Sequence, residues 1–599
     1  MNNNSVEIIA NSVDNDNAIQ DSGIIAPIVM PPSENPVIGY YHDKEGRLWL
    51  KADDKSEATL ISESYIEVTA LTCTKESLEW SNRISFDDMD GKRRCIDISC
   101  KNLLEPRETQ KILANSGFSK RWCTSKVVEY LKSVEPKNRL IQIDRTGWIS
   151  ETEYICPSFT VPMRDNYFLL GDTNNYGFAQ KGKLEEWRKR ICKPCEGNNI
   201  LTVTLCVGLS GTLLRFFPTL STTIINLFGK SSIGKTSALR VAASLWGGHK
   251  FIRQWRSTDN ALEGSAEYYN DALMALDELG QTESKDASKI VYMLGNERGK
   301  GRSKADATLK KIREWRMPIL SSGEIGIADK IEEGGKKAKG GILVRCIDID
   351  AHISEKFGIF NTLHDFESGT ELSNYFKNQT VEYHGTAAEA FIEYLSKAEP
   401  ETIRDLYHSS RNKIFEKFAL KDADCQVQRI AEMFALYLTT GLLASVDQYG
   451  VFTHNTEGIE SAVYAVFERL LEDRGGKKSC EEREIIQHII GFLMQHEARF
   501  SKLKSTIHKE DEDCDSPSKT EDDRTVYNRL GYIKECLDKT DYYIIPELFK
   551  EEVCKGLNLK TVKKILKKNN MLSTYEDGKN KVQYLDGKRI RMVAISVSN

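Results

Sequence analysis

The segment GKSSIGKT, Gly229–Thr236, constrains the fold of this 599-residue chain more than any other feature. It fits the pattern GxxxxGKS/T, in which small residues let backbone N–H groups wrap a phosphate chain at the positive end of a helix. The flanking residues agree, since the apolar run TIINLF predicts a strand before the segment and TSALRVAASLW predicts a helix after it. Strand and helix patterns alternate over residues 180–350. The sequence therefore predicts an α/β core with a parallel sheet and a phosphate-binding turn.

Nucleotide contacts are expected throughout this turn. The Lys235 ammonium would neutralise the β- and γ-phosphates, and the Thr236 hydroxyl would ligate Mg²⁺. ATP and Mg²⁺ are therefore the expected cofactors. The residues predicted to contact the nucleotide are Gly229, Lys230, Ser231, Ser232, Ile233, Gly234, Lys235, Thr236 and Ser237.

A second segment, ALMALDE, predicts a buried strand that ends in two carboxylates, Asp277 and Glu278. Asp277 is expected to hold Mg²⁺, and Glu278 is expected to act as the general base that polarises the attacking water. An ordinary strand end is the alternative. The position of the segment, after Lys235 in the order that nucleotide hydrolysis requires, favours the catalytic interpretation.

Two later strands carry further candidates. The run WRMPILSSGE predicts a strand that delivers either Ser321 or Ser322 to the γ-phosphate as a sensor, although for either serine a plain strand end is nearly as good an interpretation. In GGILVRCIDIDA, Arg345 is predicted to lie in an otherwise apolar, buried strand edge, where its charge needs a partner. That partner is either a neighbouring subunit's γ-phosphate, which would make Arg345 an arginine finger in trans, or a local carboxylate. The nucleotide motifs favour the first.

The order of motifs resembles a known bacterial family. The run GW (Gly147-Trp148), GKSSIGKTSALRVAASLWG, QWRSTDNALEG, ALDELGQ, LSSGE and GGILVR is similar to phage and mobile-element AAA+ proteins that include the staphylococcal cassette-chromosome replication helicases. The resemblance covers about residues 37–470. It implies a hexameric, MCM-like helicase of the pre-sensor-1-hairpin clade.

The resemblance also assigns residues. It implies that Ser322 stands where Asn or Thr is more common, and that Arg345 belongs to an Arg-Phe-Asp motif whose Phe is replaced by Cys346. A lid helix in the clade carries a second sensor arginine. CQVQRIAEMFALYL is similar to that helix, which makes Arg429 the candidate, with a surface or salt-bridged arginine as the alternative.

The segment from Arg298 to Arg316 is strongly basic. It occupies the place of the clade's hairpin, with Lys304-Ala305 matching the tip. A charge run is often only a solvated face, but this one lies between two strands of the nucleotide core, where nucleotide state could move it. It therefore predicts a pore loop that binds phosphates independently of sequence. The expected DNA contacts here are Lys300, Arg302 and Lys304.

A second basic stretch lies near the C-terminus. NLKTVKKILKKNN predicts a helix over about 559–569, and a β-hairpin is predicted to follow around Gly587-Lys588. Helices followed by such a hairpin are typical of a winged helix. Many winged helices bind DNA, and many others bind a protein instead. The expected DNA contacts on this helix are Lys560, Lys563, Lys564 and Lys567.

Composition and patterning divide the chain into six predicted segments. The first is polar and predicted to be disordered, and the fifth is an acidic linker poor in apolar residues. The six are a disordered N-terminus (1–36), a β-rich domain (37–180), an AAA+ ATPase core (181–375), a helical lid (376–508), the linker (509–523) and a winged helix (524–599).

For several other features, a structural interpretation is favoured over a functional one. The aspartates 87, 88 and 90 surround an Asp-Gly turn, which predicts a solvated hairpin tip more than a metal site. The apolar run Ile200–Leu214 is too short to span a bilayer and is predicted to be a buried helix. Cys192 and Cys195 have zinc-knuckle spacing but no second ligand pair, so incidental thiols are favoured. Fourteen scattered cysteines without an export signal indicate a cytoplasmic protein.

Together these patterns predict an ATP-dependent DNA helicase that replicates a phage or mobile element. Its expected partners are single-stranded and forked DNA, further copies of itself in a homo-hexamer, and a primase or polymerase of the same element, with no membrane. The alternative is a nucleotide-switched assembly platform, such as a loader or defence component, that does not unwind DNA. A DNA-binding module with a vestigial ATPase is disfavoured, because both nucleotide motifs are intact.

Overall fold

The computed structural model describes most of the chain as two compact units. One contains Met1–Ile414 and Ala431–Leu470, and the other contains Phe415–Ile430 and Leu471–Asn599. The predicted disordered terminus, the acidic linker, and Arg302 and Lys304 of the basic segment fall outside the described residues. The described residues are 39–598 without 54, 165, 171–172, 302–311, 336–339, 478–479, 504–525, 527, 537, 574–581 and 586–587.

The first part of the larger unit is rich in β-strands, as predicted. Its sheets have the orders β1-β2-β3, β11-β7-β4-β5-β6 and β10-β9-β8. The strands are β1 (Gly39–His42), β2 (Leu48–Lys51), β3 (Thr59–Ser62), β4 (Ile66–Thr74), β5 (Ser81–Asp87), β6 (Arg93–Ser99), β7 (Arg139–Ile143), β8 (Gly147–Trp148), β9 (Tyr154–Cys156), β10 (Phe159–Val161) and β11 (Tyr167–Leu169). The helices are α1 (Cys100–Leu103), α2 (Pro106–Asn115) and α3 (Ser125–Ser133).

The predicted hairpin around the Asp-Gly turn is confirmed. Strands β5 and β6 pair in antiparallel register from Ser81 with Ser99 to Asp87 with Arg93. At the tip, Arg93 Nε lies 2.5 Å from Asp87 Oδ1 and Arg94 Nε lies 2.8 Å from Asp88 Oδ2. Two of the three aspartates are thus paired with arginines of the same hairpin, which agrees with the hairpin-tip interpretation.

A five-stranded parallel sheet follows, in the order β13-β14-β15-β12-β16. Its central strands β12, β14 and β15 are short and mostly buried, as expected where helices cover both faces of a parallel sheet. Its strands and the helices around them are α4 (Leu184–Trp187), α5 (Asn199–Ser210), β12 (Ile224–Phe228), α6 (Lys235–Ala243), β13 (Arg253–Gln254), α7 (Asp259–Ala266), β14 (Met274–Asp277), α8 (Ser284–Gly295), β15 (Ile319–Ser322), α9 (Ile327–Glu333), α10 (Gly340–Arg345) and β16 (Cys346–Asp350).

The topology of this sheet decides where side chains meet. Strand β15 pairs with β12 on one side and β14 on the other, so three non-consecutive segments of the chain end at one edge. In open parallel sheets, ligands bind outside the carboxyl ends of the strands at such a change of strand order. The glycine-rich turn after β12 and the carboxylates after β14 both lie at that edge.

The apolar run that starts at Ile200 is a buried helix, as predicted. Helix α5 continues into a 3-10 turn, and the stretch Asn199–Phe216 is long and apolar enough to cross a membrane by length and composition alone. Within the fold, 89% of that stretch is buried. The helix therefore supplies core to the α/β region, where it packs against α6.

Helices dominate the chain after the parallel sheet. They are α11 (Gly369–Glu382), α12 (Thr386–Leu395), α13 (Pro400–Lys417), α14 (Cys425–Ala444), α15 (Thr456–Asp473) and α16 (Cys480–Gln495). Single turns of 3-10 or π-helix lie at Thr173–Tyr176, Arg188–Cys192, Lys193–Cys195, Gly211–Phe216, His249–Phe251, Glu267–Tyr269, Leu279–Gln281, Glu497–Arg499 and Phe549–Val553.

The smaller unit ends in a mixed sheet of order β17-β18-β19-β23-β20 and a two-stranded hairpin. The predicted basic helix is confirmed as α18, and the predicted hairpin as β21 and β22, which flank residues 586–587. The elements are β17 (Phe500–Lys502), β18 (Gly531–Glu535), β19 (Lys539–Ile544), α17 (Pro546–Leu548), α18 (Leu559–Lys568), β20 (Leu572–Ser573), β21 (Val582–Leu585), β22 (Lys588–Arg591) and β23 (Val593–Ser598).

One local prediction is wrong. Arg345 was expected in a buried strand edge, but it is the last residue of the short helix α10, and the strand begins at Cys346. Its side chain is half-buried. The apolar run Ile342–Val344 has only three residues, and so short a run can form either element.

Candidate nucleotide-binding site

The glycine-rich turn leaves β12 at its carboxyl end and enters α6. Gly229, Ser232 and Gly234 have φ of 140°, 65° and 106°, so the backbone doubles back within a few residues. A Cβ on Gly234 would lie 2.7 Å from Ile359 Cγ2, which explains why glycine is required there. Helix α6 begins at Lys235 without a side-chain cap, and an uncapped first turn suits a bound anion.

Lys235 is buried and folds back over this turn. Its Nζ donates to the carbonyl oxygens of Gly229, at 2.8 Å, and Lys230, at 2.6 Å. Burial lowers the pKa of Lys235, and the negative charges of Glu324 and Asp277 oppose that shift. Phosphate oxygens are stronger acceptors for an ammonium than carbonyls are. A triphosphate would therefore replace contacts that Lys235 already makes in this position.

The two carboxylates that end β14 take different conformations. Asp277 is the last strand residue and is 8% exposed, whereas Glu278 is exposed and has a left-handed backbone with φ 61°. The kink lets Glu278 leave the strand while its amide donates to Asp277 Oδ1 at 3.1 Å. A non-glycine residue in this region costs about 1–3 kcal/mol and is typically kept where function requires it.

The structure separates the two serines of β15. Ser322 Oγ donates to Asp277 Oδ1, so Ser322 lies at the carboxylate pair. Ser321 points the other way, accepting from Trp255 Nε1 and donating to Asn226 Oδ1, both at 2.9 Å. Successive side chains of a strand face opposite sides, so only one of the two could reach the site.

A cavity of about 440 Å³ joins these groups. It brings together most of the residues predicted from the turn, both carboxylates and Ser322, and adds residues that the sequence did not indicate. Its lining residues are Ser231, Ser232, Gly234, Lys235, Thr236, Ser237, Asp277, Glu278, Gly280, Gln281, Ser322, Gly323, Glu324 and Ser373.

Gln281, Glu324 and Ser373 were missed. Glu324 has a recognisable signal, because it stands two residues beyond a strand that ends at the predicted site. Ser373 lies on α11, far away in sequence, and no local pattern indicates it. Gly229, Lys230 and Ile233 belong to the turn but do not line the cavity. The Ile233 carbonyl instead accepts from the Ile359 amide at 2.9 Å.

Arg345 lies at the opposite edge of the sheet. It immediately precedes β16, which runs parallel to β12 over five paired residues before the glycine-rich turn begins. At about 3.3 Å per residue, roughly 16 Å separates Arg345 from the turn of its own chain. Its Nε donates to Gly295 O at 3.0 Å and its Nη1 to Gly341 O at 2.9 Å. These carbonyls hold the guanidinium away from its own cavity.

The remaining predicted residues lie elsewhere. Lys300 Nζ lies 2.5 Å from Asp259 Oδ2, so this predicted DNA contact is paired with a carboxylate at the start of α7. Arg429 is an exposed residue of α14 and belongs to the smaller unit. On α18, Lys560, Lys564 and Lys567 are exposed and Lys563 is half-buried.

The CxxC pair is fully buried. Cys195 Sγ donates to Ile191 O at 3.1 Å, and Cys192 Sγ lies 3.5 Å from His454 Nδ1. Burial raises the pKa of Cys192 to about 12 and raises that of Cys195 well above its usual value. Metal ligation needs thiolates, which this setting disfavours. Within the described part of the chain, no three potential ligands are grouped closely enough to hold a metal ion.

Similarity to known proteins agrees with this geometry. Residues 40–314 match DUF927, described as a domain of unknown function. A solved structure described as "SCCmec type IV Cch - active helicase" is 15% identical, with a TM-score of 0.66 over 94% of this chain and 98% of that chain. Two apo structures of the NrS-1 C-terminal region are each 10% identical, with TM-scores of 0.22. The first covers 67% of this chain and 91% of that one, and the second covers 66% and 92%.

No curated protein matches by sequence. The resemblance that the sequence motifs predicted is therefore confirmed as a likeness of fold. Residues 40–314 are similar to the DUF927 family, and the chain shares the fold of the structure described as the Cch active helicase.

Proposed function

We propose that this protein is an ATP hydrolase that drives the unwinding of DNA. The observation that supports this most is the 440 Å³ cavity, where a phosphate-binding turn, a buried lysine and two strand-end carboxylates converge from separate parts of the chain. In this proposal the parallel sheet is an AAA+ core, the following helices form its lid, and the C-terminal sheet with α18 is a winged helix.

Each residue of the cavity has a distinct task. Lys235 exchanges its two carbonyl contacts for phosphate oxygens, and the amides at the start of α6 hold the phosphate chain. Glu278 accepts a proton from water, since its kinked backbone carries the carboxylate out of the strand. Ser322 holds Asp277 in place and senses whether the γ-phosphate is present. Gln281 and Glu324 complete the polar wall.

The donor set fits Mg²⁺, because the Thr236 hydroxyl and the Asp277 carboxylate border the same cavity and hard oxygens are its preferred ligands. When bound, Mg²⁺ supplies positive charge to the phosphate oxygens. Orientation of the phosphate chain and proton transfer remain tasks of Lys235 and Glu278.

The place of Arg345 suggests an oligomer. A cation about 16 Å from its own phosphate-binding turn cannot act there, but the same cation on a neighbouring copy can stabilise the transition state. We therefore place each active site between two subunits of a ring, with a homo-hexamer as the proposed assembly and Arg429 as a second sensor.

The basic segment between α8 and β15 is the proposed contact with single-stranded and forked DNA, through Lys300, Arg302 and Lys304, and α18 is a second one. Replication of a phage or mobile element in the cytoplasm, with a primase or polymerase of that element, is the proposed setting.

The decisive experiment compares wild type with Lys235→Ala in unwinding of a forked duplex with ATP. Wild type is expected to release the strand, and the variant is expected to lose at least 100-fold, because Lys235 is the one lysine or arginine among the described residues that line this cavity (on the order of 3 kcal/mol for a charge-assisted contact). Wild type that forms ATP-dependent oligomers and hydrolyses ATP but never unwinds would instead support the assembly platform. Wild type that binds no ATP would contradict both.

A further inference from the structure

A groove of about 450 Å³ lies outside the nucleotide cavity, at the foot of the basic segment. Arg298 and Glu314, which pair as an isolated bridge where the segment leaves and rejoins the fold, form one of its walls. Arg145 and Trp148 of the β-rich part and Arg215 and Arg316 form the rest. Four arginines therefore converge on one opening within the larger unit.

Three of these arginines are oriented by backbone carbonyls. Arg145 Nη1 donates to Glu314 O at 3.3 Å, and Arg316 Nη2 donates to Leu214 O at 2.6 Å. Arg215 Nη1 donates to Glu151 O at 2.5 Å. Among the described residues, none of the three guanidinium groups forms an ion pair. A guanidinium has five N–H donors, so these carbonyl contacts fix its direction and leave further N–H donors for a ligand.

Arg215 is the most constrained member. Its guanidinium carbon lies 3.5 Å from the centre of the Trp148 ring, and its Nε is buried without a hydrogen-bond partner in the described structure. Burial lowers the pKa of Arg215 to about 10, despite the opposing effect of the nearby Asp271 and Glu151 carboxylates. Arg215 is half-buried, and a ligand anion on its remaining N–H donors would offset the cost of this partial burial.

The three carboxylates of the groove are largely committed to other donors. Asp271 accepts from the Trp148 amide at 3.2 Å and from its neighbour Asn270, and burial raises the pKa of its carboxyl group. A Cβ on Gly147 would lie 2.5 Å from Asp271 Oδ2, so the Gly-Trp pair permits this close approach. Glu297 Oε1 accepts from the Thr222 amide at 2.5 Å.

Glu314 is the third carboxylate, and it lies 3.6 Å from Arg298 Nε. That distance is long for an ion pair, and both side chains are more than half exposed. The lining of the groove thus holds four arginines and three carboxylates, an excess of one positive charge.

We propose that this groove binds the phosphate backbone of single-stranded DNA at the foot of the basic segment, an assignment that rests on the proposed DNA-unwinding function. Guanidinium groups match phosphate oxygens in charge and fork geometry. One face of Trp148 is covered by Arg215, so that face is closed to a stacked base. Such contacts position a strand without reading its sequence. The strand held by the segment's tip thus gains a second anchor where the segment joins the fold.

The test measures binding of a labelled oligo-dT to the full chain with a non-hydrolysable ATP analogue over a range of salt concentrations. The double variant R145Q/R316Q is expected to bind about tenfold more weakly, with a log–log salt slope less negative by about 1.4, since each lost phosphate contact on a single strand removes about 0.7. R145K/R316K, which keeps both charges, is expected to recover most of the slope. Arg107→Gln, an exposed arginine of α2, is the matched control and is expected to equal wild type.

The outcomes separate the two proposals. Oligo-dT binding by wild type that R145Q/R316Q does not weaken, with the salt slope retained, overturns the groove and leaves the unwinding function standing. Failure of wild type to bind oligo-dT at all contradicts the proposed function itself. If the double variant unfolds at a lower temperature than wild type, the single variant R145Q is used instead. Arg145 is exposed, and the expected slope change is then about 0.7. An unchanged slope with R145Q likewise overturns the groove.

Discussion

His454 shows how a single buried group can couple this fold to pH. It is 3% exposed, with Nε2 3.0 Å from Thr202 Oγ1 and Nδ1 near the Cys192 thiol. The Thr202 hydroxyl donates to Cys195 O at 3.2 Å, so the imidazole must donate to it from Nε2. This network requires the neutral ring. Burial accordingly lowers the pKa of His454 from 6.5 to about 4.

Because that pKa falls on folding, the unfolded chain binds a proton between pH 6.5 and pH 4 that the folded chain does not. The stability of the larger unit should therefore fall as pH drops through this window, by roughly 3 kcal/mol at most from this residue. Thermal unfolding of wild type and His454→Gln across pH 4–7 measures it. The variant should be less stable at pH 7 but lose less on acidification.

His408 provides the control for this measurement. It is an exposed histidine on α13, so His408→Gln should keep the wild-type dependence on pH. A His454→Gln profile parallel to wild type over the whole window would contradict the assignment of the acid sensitivity to His454.

Ser321 and Ser322 mark the limit of inference from sequence for individual residues. The glycine-rich turn and the strand-end carboxylates could be predicted, because each depends on a local pattern whose chemistry is fixed. The two serines could not be separated, since the direction of a side chain on a short strand depends on its neighbours in the sheet. Ser373 was missed for a different reason, since it lies on a helix far away in sequence, whereas Glu324 follows a predicted strand end closely enough to have been indicated.

The basic segment between α8 and β15 connects two elements of the core, so a movement of either element would also move the segment. One end follows α8, and the other leads through Trp315 directly into β15, the strand of Ser322. A change at the γ-phosphate therefore has a short covalent path to the segment. Its foot is tied by Lys300 to Asp259 and by Arg313 to Glu267.

Lys304→Ala should uncouple hydrolysis from unwinding. Removing a phosphate contact at the predicted tip weakens binding to DNA. The number of strands unwound per ATP hydrolysed should therefore fall at least tenfold. Parallel measurement of hydrolysis and forked-duplex unwinding gives this ratio. Lys111→Ala, on the exposed face of α2, serves as the matched control. An equal loss of both activities in Lys304→Ala would indicate a structural role.

Elements were predicted with uneven success, and the reasons are physical. Strand β12, helix α6, strand β14 and helix α18 follow from strong periodicity and flanking turn residues. The helix α10 did not, because GGILVR is short and apolar enough to suit either a strand or a helix.

The assembly as a whole can be probed through Arg345. If this cation completes a neighbour's site, Arg345→Ala and Lys235→Ala should each abolish hydrolysis, because each variant removes one of the two residues that every site between subunits needs. Equimolar mixing should restore part of the activity, since some interfaces then pair an intact Lys235 cavity with an intact Arg345. Hydrolysis rates of the mixtures measure this. Absence of any recovery, with both variants still forming oligomers, would contradict action in trans.

The division of the chain into units could not be foreseen from linear patterns. Helix α14 begins in the smaller unit and continues in the larger one, and residues 415–430 belong with the C-terminal part. Composition reveals linkers only where contacts stop along the chain. It does not reveal a segment that leaves one unit and returns to it, so the five boundaries between the six predicted segments stay predictions.

The hydrogen bonds beside the cavity form a row from Trp255 to Asp348, in which each residue donates to the next. The Trp255 indole can only donate, so Ser321 must pass its own proton to Asn226, whose amide then donates to Asp348 Oδ1 at 2.7 Å. Each bond in such a polarised row strengthens the next. Position 321 thus accepts only side chains that donate and accept at once.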